Sequence, residues 1–455
     1  MHKHHNALTA FVLLTMCFTA AQVCTAEDIG AAYLDFRDVV AKAKDEVFPK
    51  VLYIKCLRES HEQGKKINQE VAGSGVIISR EGEVLTNWHV VDKAVEVRCL
   101  LYNGRALDAQ VLGTDKDTDL ALLKLQTEGV LPFATIGESD KLCEGDFVMA
   151  MGAPWGLSRS VSIGIISCTK RYLPENGEYS LWLQTDAAIS PGNSGGPLVN
   201  TAGHVIGITT LGVMMGGDMG FAVPSETVKH VIGRLRDEGK MNWSWTGLQL
   251  QPLRDFEKDI FFEGTEGVIV AETDPDSPAR QAGILAQDRI LQIAGEPACA
   301  LTAEDLPALK RKLGLLTKNE PVEIRLRRNG QEITVQLTPR EKGKVEGVEL
   351  DCPRWDLTVK TINRFDNPEL YFHRKEGVFI FGVKYPGNAS NADLKTQDII
   401  LAIDGAKVTT LDDVKKIHQE TIANVRTKPR IVFNVLRNGL LRQVVLDFSR
   451  DYEKQ

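Results

Sequence analysis

The segment TDAAISPGNSGGPLVN, residues 185–200, places Ser194 among three glycines and two prolines. Clustered glycines allow the backbone to approach another group closely or to adopt positive φ angles. A phosphate-binding loop would carry a lysine directly after the glycines, and none follows here. A simple turn would need only one or two of the glycines. The segment therefore favours a nucleophilic serine with backbone N–H groups facing a developing oxyanion.

Two residues upstream could activate this serine. His89 lies in TNWHVVD, and Asp119 lies in TDKDTDLALLKL. A serine hydroxyl is weakly nucleophilic at neutral pH, so it needs a base to accept its proton and a carboxylate to orient that base. Taken singly, the histidine could be a core residue and the aspartate could cap a turn. Together they meet the requirement of a catalytic triad, in which Gly192, Asn193 and Ser194 would form the oxyanion hole.

The elements that must position these residues are short strands. From about residue 48 to 238, segments such as GSGVIIS, DLALLKL and HVIGITTLG are β-branched or alternating, and glycine or asparagine separates them. This pattern is typical of an all-β barrel or sandwich. Residues 30–46 have helical spacing. Residues 225–240 begin with a serine cap and end near a glycine, which predicts a closing helix.

The remainder of the chain contains an internal repeat. EGVIVAETDPDSPARQAGILAQDRILQIAGEPA begins at Glu266, and EGVFIFGVKYPGNASNADLKTQDIILAIDGAKV begins at Glu376. The two segments align without a gap. Each copy spans about 100 residues and mixes strands with one or two helices, so the sequence predicts two similar α+β domains after the β region.

The segments GNSGGPLVN, TNWHVV, DLALLKL, QTDAAI and GFAVP together resemble the HtrA/DegP family of exported serine proteases, and the repeats resemble its paired PDZ domains. The resemblance covers nearly all of the chain after residue 26. It implies a mainly β, multidomain protein with a chymotrypsin-like double β-barrel followed by two α+β PDZ domains. The implied units are a signal peptide (1–26), an N-terminal helical segment (27–47), a protease domain (48–240) and PDZ domains at 245–340 and 345–450.

The resemblance also assigns roles to residues. His89 would be the general base, Asp119 would orient it, and Ser194 would attack the scissile carbonyl. In this family the ordering of loops around the site sets activity. The corresponding loops here would be residues 58–69, 172–179 and 212–220.

The pocket for the side chain before the scissile bond is expected to be uncharged. The position six before the nucleophile is Ala188, and the segments GITTLG and MGFAVP would supply Thr209, Leu211, Met219 and Phe221. A lysine or arginine would bury its cation there without a partner, at a cost of several kcal/mol. Cleavage after small and medium aliphatic residues is therefore predicted.

Two short segments resemble the carboxylate-binding loops of PDZ domains, where a bound peptide adds a strand to a sheet edge. They are TGLQL (246–250) and EGVEL (346–350). The candidates are Gly247, Leu248 and Leu250 in the first copy, and Gly347, Val348 and Leu350 in the second. Alternatively, both segments are ordinary beginnings of strands and bind no peptide. The second copy has about ten extra residues within 351–374, which could cover its groove.

The first 26 residues indicate export. An uncharged, largely apolar run ends in the small-x-small triplet at residues 24–26, the layout of a secretory signal peptide. An uncleaved membrane anchor is the alternative. An exported, periplasmic protein is therefore expected. Its other six cysteines are scattered and form no CxxC pair. A disulfide between Cys56 and Cys99 is conceivable, but the sequence does not decide the pairing. The histidines lack metal-ligand spacing, so no metal and no cofactor are expected.

The chain has 455 residues and a net charge of −7, which argues against nucleic acid as a partner. The predicted function is an ATP-independent exported endopeptidase for unfolded or damaged proteins, with PDZ domains that bind peptide C-termini. A chaperone or PDZ scaffold with secondary proteolysis, and a regulatory protease with one dedicated substrate, are the alternatives. The resemblance also implies a homotrimer or a multiple of it, with contacts at Tyr33, Phe36 and Phe48, although packing of the helix would explain these residues too.

Overall fold

The structure is a computed structural model that describes residues 35–154, 159–174, 177–213, 219–256 and 266–452, without the side chains of 211–213 and 255–256. The expected signal peptide and Tyr33 lie outside the described residues. Within them, helix α1 (Phe36–Val47) begins at Asp35, whose carboxylate accepts the N–H of Arg37 at 2.9 Å. No helix in the described ranges is long and apolar enough to cross a bilayer.

Two closed barrels of six antiparallel strands follow α1, as the alternating strand pattern predicted. Both bury their inward-facing aliphatic side chains completely, for example Leu52, Leu123 and Ile206. The strands of the first barrel are β1 (Val51–Ser60), β2 (Ile67–Ile77), β3 (Glu83–Thr86), β4 (Ala94–Leu100), β5 (Ala106–Asp115) and β6 (Leu120–Leu125). Those of the second are β7 (Phe147–Gly152), β8 (Ser160–Arg171), β9 (Trp182–Thr185), β10 (Pro197–Asn200), β11 (Val205–Val213) and β12 (Met219–Pro224).

Two helices belong to the barrel region. The short helix α2 (Trp88–Val91) follows β3, and the longer helix α3 (Ser225–Glu238) follows β12. Helix α3 ends at Gly239, whose φ of 72° is left-handed and suits a residue without a Cβ. It packs against β5 and β6 of the first barrel and against β11 and β12 of the second, so it ties the two barrels together.

The two repeats fold into sheets of the same design. The first has the order β14-β15-β16-β18-β19, and the second has the order β21-β22-β23-β24-β26-β27. The first contains β14 (Leu248–Gln251), β15 (Val268–Thr273), α4 (Pro278–Gln281), β16 (Arg289–Ile293), β17 (Glu296–Pro297), α5 (Leu306–Gly314), β18 (Val322–Arg328) and β19 (Gln331–Leu337). The second contains β21 (Glu349–Cys352), β22 (Leu357–Thr361), α6 (Pro368–His373), β23 (Val378–Val383), α7 (Asn388–Asn391), β24 (Ile399–Ile403), β25 (Ala406–Lys407), α8 (Leu411–Ala423), β26 (Arg430–Arg437) and β27 (Leu440–Asp447).

A two-stranded ribbon connects the barrels to the first repeat. It pairs β13 (Ser244–Trp245) with β20 (Arg340–Glu341). Just before β13, the indole N–H of Trp243 donates to Asp115 Oδ1 at 3.0 Å. Just after β20, the Lys342 ammonium lies 2.8 Å from Asp117 Oδ1. Both contacts reach the loop that leads from β5 to Asp119.

The second repeat docks on the first barrel through the carboxylate of Glu349. This carboxylate accepts from Lys93 Nζ at 2.5 Å and lies 3.0 Å from His61 Nδ1. Thr358 also donates its hydroxyl to the carbonyl of His61. The tip of the hairpin between β1 and β2 therefore rests on the second repeat.

All six cysteines of the described residues are free thiols. Cys56 and Cys99 lie on the adjacent strands β1 and β4, yet they form no disulfide. Burial raises the pKa of Cys56 to about 12. It also raises the pKa of Cys99 above its ordinary value. The two groups are therefore neutral apolar core residues at physiological pH.

Candidate active site

His89 and Asp119 meet at the edge of the first barrel. His89 lies on α2, and its Nδ1 is 3.0 Å from Asp119 Oδ1 and 2.9 Å from Oδ2. The backbone N–H of His89 donates to Asp119 Oδ1 at 3.1 Å. A carboxylate at Nδ1 holds the proton on that nitrogen and leaves Nε2 as the acceptor. This is the arrangement that a general base for a serine hydroxyl requires.

Asp119 is held in an uncommon backbone conformation. Its φ is 53°, in the left-handed region that aspartate tolerates better than most residues. Its carbonyl accepts from the Trp88 N–H at 3.2 Å and from Asn87 Nδ2 at 3.0 Å. These bonds tie the loop that carries the aspartate to the residues before His89. Asn87 was not singled out from the sequence, although it stands two residues before His89.

Thr210 joins the aspartate to the serine. Its hydroxyl donates to Asp119 Oδ2, and its carbonyl accepts from Ser194 Oγ at 3.0 Å. Thr210 is 3% exposed, so both groups are shielded from water. Thr210 could not be identified from the sequence, because a threonine in a strand is common and only the fold brings it to Asp119.

Ser194 Oγ makes no hydrogen bond to His89 among the described residues. The three predicted triad residues are thus brought into one site, and the last link of the triad is open. Before proton transfer, Ser194 Oγ must leave the Thr210 carbonyl and turn toward His89 Nε2. Catalytic hydrogen bonds of this kind often close only when substrate binds.

The loop before Ser194 is a type II turn. The Asn193 N–H donates to the Ser190 carbonyl at 2.9 Å, Pro191 occupies the second position, and Gly192 the third with φ of 97°. A type II turn requires positive φ at this position, which only glycine adopts at no steric cost. The N–H groups of Gly192 and Ser194 have no hydrogen-bond partner within the described ranges. They are therefore free to bind an oxyanion.

The other two glycines of the cluster serve a different purpose. A Cβ at Gly195 would collide with the carbonyl of Ser74, and one at Gly196 would collide with the carbonyl of Met151. These two glycines let the serine loop approach strands of both barrels. Gly195 and Gly196 therefore serve packing, and the N–H of Asn193, which was also assigned to the oxyanion hole, is engaged with the Ser190 carbonyl instead.

Ser74 of the first barrel fixes the serine loop of the second. Its hydroxyl donates to the Gly192 carbonyl at 2.7 Å and accepts the N–H of Ala153 at 2.8 Å. Its backbone N–H donates to the Ser194 carbonyl at 2.8 Å. Ser74 is fully buried. A polar residue flanked by glycines in an apolar strand was the signal that could have revealed it, because buried hydroxyls require partners.

Two residues predicted to line the pocket for the substrate side chain are buried in the core instead. Thr209 is fully buried, and its hydroxyl donates to the carbonyl of Asn193 at 2.7 Å, with the Gly196 carbonyl 3.0 Å away. It therefore supports the backbone of the loop that carries Ser194. Phe221 is 4% exposed and belongs to the main apolar cluster of the barrels.

Of the other predicted pocket residues, Ala188 lies in the loop after β9, and Leu211 and Met219 lie on β11 and β12. Ala188 is exposed, and its carbonyl accepts from Ser162 at 2.8 Å. Met219 is partly buried, and Leu211 pairs with Phe221 between β11 and β12, although its side chain lies outside the described part. The sequence analysis did not name Ile189, whose side chain contacts Gly220 so closely that a Cβ there would lie 2.7 Å from Ile189 Cδ1.

In the first repeat the predicted carboxylate loop lies at an open sheet edge. Strand β14 is the outermost strand, and Leu248 pairs with Thr273 and Leu250 with Val270 on its inner side. Gly247 precedes β14 with φ of 72°. Its N–H has no hydrogen-bond partner among the described residues. The chain here offers both a loop N–H and a strand edge to a peptide.

The second repeat differs at the same place. Leu357 of β22 pairs with Val383, which corresponds by the repeat to Thr273, so β22 matches β14. The residue that matches Gly247 is therefore Asp356, which has φ of 54°. The predicted equivalence of residues 246–250 with 346–350 is not the one in the structure, and this corrects the placement of Gly347, Val348 and Leu350.

Those residues occupy the position that a peptide would take. Strand β21 pairs antiparallel with the outer edge of β22, with Leu350 opposite Val359. Helix α8 packs against both strands. Gly347 and Val348 lead into β21, and the Val348 N–H donates to Thr361 Oγ1 at 2.8 Å. The chain thus covers its own edge with β21. With β22 matched to β14, the segment that follows (361–377) is only one residue longer than its counterpart (252–267), so the expected insertion of about ten residues within 351–374 is wrong.

Two family descriptions match the chain. A trypsin-like peptidase domain matches residues 73–208, and a PDZ domain matches residues 244–338. A probable periplasmic serine endoprotease DegP-like of Halomonas elongata is 36% identical over 351 residues, which are 75% of this chain and 72% of the relative. The protein with the same description in Chlamydia trachomatis is 32% identical over 383 residues, 82% of this chain and 74% of the relative.

Solved structures that resemble this chain are also serine proteases of this kind. The HtrA-type protease AlgW with a tripeptide aligns with a TM-score of 0.59 and 32% identity, over 67% of this chain and 97% of that one. The serine endoprotease from Yersinia pestis aligns with a TM-score of 0.52 and 33% identity, over 66% and 97%. With such relatives along most of its length, and with Ser194, His89 and Asp119 gathered in one site between two β-barrels, the chain belongs to the HtrA/DegP family of serine endoproteases.

Proposed function

We propose that the chain is an ATP-independent periplasmic endopeptidase that cleaves unfolded or damaged polypeptides. Ser194 is the nucleophile, His89 the general base and Asp119 the residue that orients the base. The observation that carries this proposal is the continuous chain of hydrogen bonds from His89 through Asp119 and Thr210 to Ser194. The signal-like residues 1–26 and the periplasmic description of the relatives support the location.

The chemistry follows from these contacts. His89 Nε2 accepts the proton of Ser194 Oγ while the oxygen bonds to the scissile carbonyl carbon. The carbonyl oxygen then carries the charge, and the N–H groups of Gly192 and Ser194 bind it. The imidazolium, stabilised by the Asp119 carboxylate, gives its proton to the leaving amine. Water repeats the same steps to release the acyl group.

We further propose that the first repeat holds an extended peptide, with its C-terminus at Gly247 and its backbone on β14. The open strand edge and the free loop N–H support this placement. The second repeat does not bind a peptide in this way, because β21 takes the place of the added strand.

Self-association remains part of the proposal. Phe36 is 40% exposed and its ring lies 4.8 Å from that of Phe147, which is 52% exposed. Two exposed aromatic rings side by side suit a contact with another copy. Phe48, by contrast, packs against the barrel core. A trimer or a multiple of it is expected in sedimentation, and a monomer at micromolar concentration would contradict this.

The test of the proposed activity is casein hydrolysis with mass-spectrometric mapping of the cuts. Ser194→Ala should lower the rate by roughly 10⁴- to 10⁶-fold, because the nucleophile is lost. The wild-type cuts should follow Val, Ala, Ile or Leu. Hydrolysis at near wild-type rate by the purified variant would remove Ser194 from the mechanism. Predominant cleavage after Lys or Arg would contradict the uncharged pocket.

A further inference from the structure

A cavity of about 460 Å³ opens beside β14 and is shared by both repeats. Gly247 and Leu248 of the first repeat form one wall, and Leu313 of α5 forms another. A further wall comes from the second repeat, from residues 364–375, and Glu178 and Tyr179 of the barrel region complete the lining. The second-repeat wall includes α6, in the segment between β22 and β23. The second repeat therefore faces the peptide edge of the first.

Arg364 is one of two cations of this wall, with Lys375. Its guanidinium carbon lies 4.0 Å from the centroid of the Trp245 ring and 4.8 Å from that of the Tyr371 ring. Nη2 also donates to the Tyr371 hydroxyl at 2.5 Å. Aromatic contacts on a planar guanidinium restrict its orientation and leave its edge to donate hydrogen bonds.

Arg364 has no carboxylate partner within the described ranges. The other cations around the cavity are engaged: Lys342 lies 2.8 Å from Asp117 and Lys375 lies 2.9 Å from Asp276. Lys310 Nζ lies 4.0 Å from Glu178 Oε1. Lys375 and, more weakly, Arg364 lower the pKa of Asp276, but only Lys375 forms an ion pair with it, so the half-buried guanidinium remains open to an anion. Arg364 is therefore available to bind a negatively charged ligand.

The ring of Trp245 places this cation beside the carboxylate loop. A Cβ at Gly247 would lie 3.2 Å from Trp245 Cζ2, so the indole contacts the loop glycine. The indole N–H donates to Asp274 Oδ2 at 3.2 Å, which holds the ring in position. Gly247 and Arg364 thus flank the same indole and line the same cavity.

We infer that Arg364 binds the C-terminal carboxylate of the peptide that lies on β14, together with the N–H of Gly247. This rests on the proposed peptide binding by the first repeat and names what completes that site. The peptide site is then composite, because its backbone groups come from the first repeat and its charged side chain from the second. The aromatic side chains of Tyr371 and Phe372 on the same wall suit an apolar final residue.

The experiment compares two forms of one peptide. A fluorescein-labelled octapeptide ending in Val-Leu is prepared as a free acid and as a C-terminal amide. Binding to the full chain is followed by fluorescence anisotropy in the Ser194→Ala background, which prevents hydrolysis. The free acid should bind more tightly than the amide. Arg364→Gln should weaken binding of the acid by about 10- to 100-fold and leave binding of the amide unchanged, since a hydrogen bond to a charged group is lost.

Arg340→Gln is the matched control. Arg340 also lies over the Trp245 ring, at 5.7 Å, but its Nη2 donates to the carbonyl of Asp276. Its substitution should change acid binding by less than about twofold.

The outcomes separate the inference from the proposed function. Equal binding of the acid by the Arg364→Gln variant and its parent would overturn the inference and leave the proposed function intact. An equal loss for acid and amide would also overturn it, because Arg364 would then only support the fold. No binding of either peptide to the parent would overturn peptide binding by the first repeat, and the inference with it.

Discussion

The two repeats have the same sheet design, yet their outer edges are used in opposite ways. In the first repeat β14 is exposed as the last strand of its sheet. In the second repeat β21 covers the matching strand β22. Exposed strand edges invite pairing with another chain, and covering them prevents it. Two domains of the same design can therefore share a core, while only one of them has an outer strand that is free to pair with a peptide.

One pair of matching positions beside the outer strands carries different residues in the two repeats. In the first repeat Gly247 faces Ser277, and a Cβ at Gly247 would collide with the Ser277 Cβ. In the second repeat Asp356 faces Gly387, and a Cβ at Gly387 would lie 2.7 Å from the Asp356 Cβ. The position that carries the side chain is therefore reversed: it is Ser277 in the first repeat and Asp356 in the second. The carboxylate of Asp356 now accepts the Asn388 N–H at 2.9 Å, where it would repel a peptide C-terminus.

The second repeat has gained other tasks. Its strand β21 carries Glu349, which contacts Lys93 of the first barrel, and its residues 364–375 form a wall of the first repeat's cavity. A domain that binds no peptide itself can thus position the barrels and complete the site of its neighbour.

The largest expected effect comes from replacing the residues at positions 247 and 277 by those at the matching positions of the second repeat. Gly247→Asp combined with Ser277→Gly reproduces the pair of the second repeat without the collision. Binding of the free-acid octapeptide should fall by at least about a hundredfold, because two like charges would meet in a partly buried site. Fluorescence anisotropy in the Ser194→Ala background measures this.

Ser277→Gly alone is the control for that exchange. Ser277 caps α4, where its hydroxyl accepts the Arg280 N–H at 3.1 Å, and glycine at such a position costs only a few tenths of a kcal/mol. Peptide binding should therefore persist. Tight binding by the double variant would mean that the aspartate in the second repeat does not explain its loss of the site.

The folding stability that Asp115 contributes should fall as the pH rises. Burial, and then the neighbouring Asp117, raise the pKa of Asp115, the partner of Trp243, to about 6. The folded protein therefore holds this proton more tightly than the unfolded chain does, and the associated stability is present near pH 4 and lost as the pH passes 6. The unfolding free energy of wild type relative to Asp115→Asn should fall by about 2–3 kcal/mol between pH 4 and 7. Parallel pH profiles of the two proteins in denaturant titrations would contradict this.

The attachment of the second repeat should respond in the opposite direction and more weakly. Although burial favours the neutral acid, Lys93 and Lys360 hold the pKa of Glu349 below its ordinary value. Its contribution is present at neutral pH and is lost in acid, as the pH falls through the ordinary pKa of a glutamate and through the lower pKa of the folded state. Glu349→Gln should make the amides of β21 exchange about tenfold faster at pH 7, because an almost buried ion pair is broken.

Glu346→Gln is the matched control for Glu349. Its partner Lys116 is 40% exposed, and exposed pairs contribute little. Exchange in β21 should remain close to that of wild type. Equal acceleration by both variants would mean that Glu349 has no special part in holding β21.

Much of the fold and of the candidate site could be predicted from the sequence. The strands of the barrels follow from alternation and turn residues, and His89, Asp119 and Ser194 stand in segments whose residue types suit their chemistry. Thr210 and Ser74 could not be found in this way. Each is one hydroxyl among many in β-branched or small-residue strands, and its role depends on partners that lie far away in the chain.

The second repeat shows a different limit. Glu346–Leu350 resembles Thr246–Leu250 in its letters, so the sequence favoured the wrong equivalence. The true counterpart of Gly247 has an aspartate, since Asp356 also tolerates a left-handed backbone. Only the strand register shows which segment is the edge and which segment covers it.

The most direct test of the contrast between the repeats is amide hydrogen exchange of the full-length Ser194→Ala protein, with and without the free-acid octapeptide. We predict that the peptide slows exchange in Leu248–Gln251 of β14 and leaves Leu357–Thr361 of β22 unchanged, because β21 already covers that strand. Protection that appears in β22, or that is equal in both strands, would contradict the account.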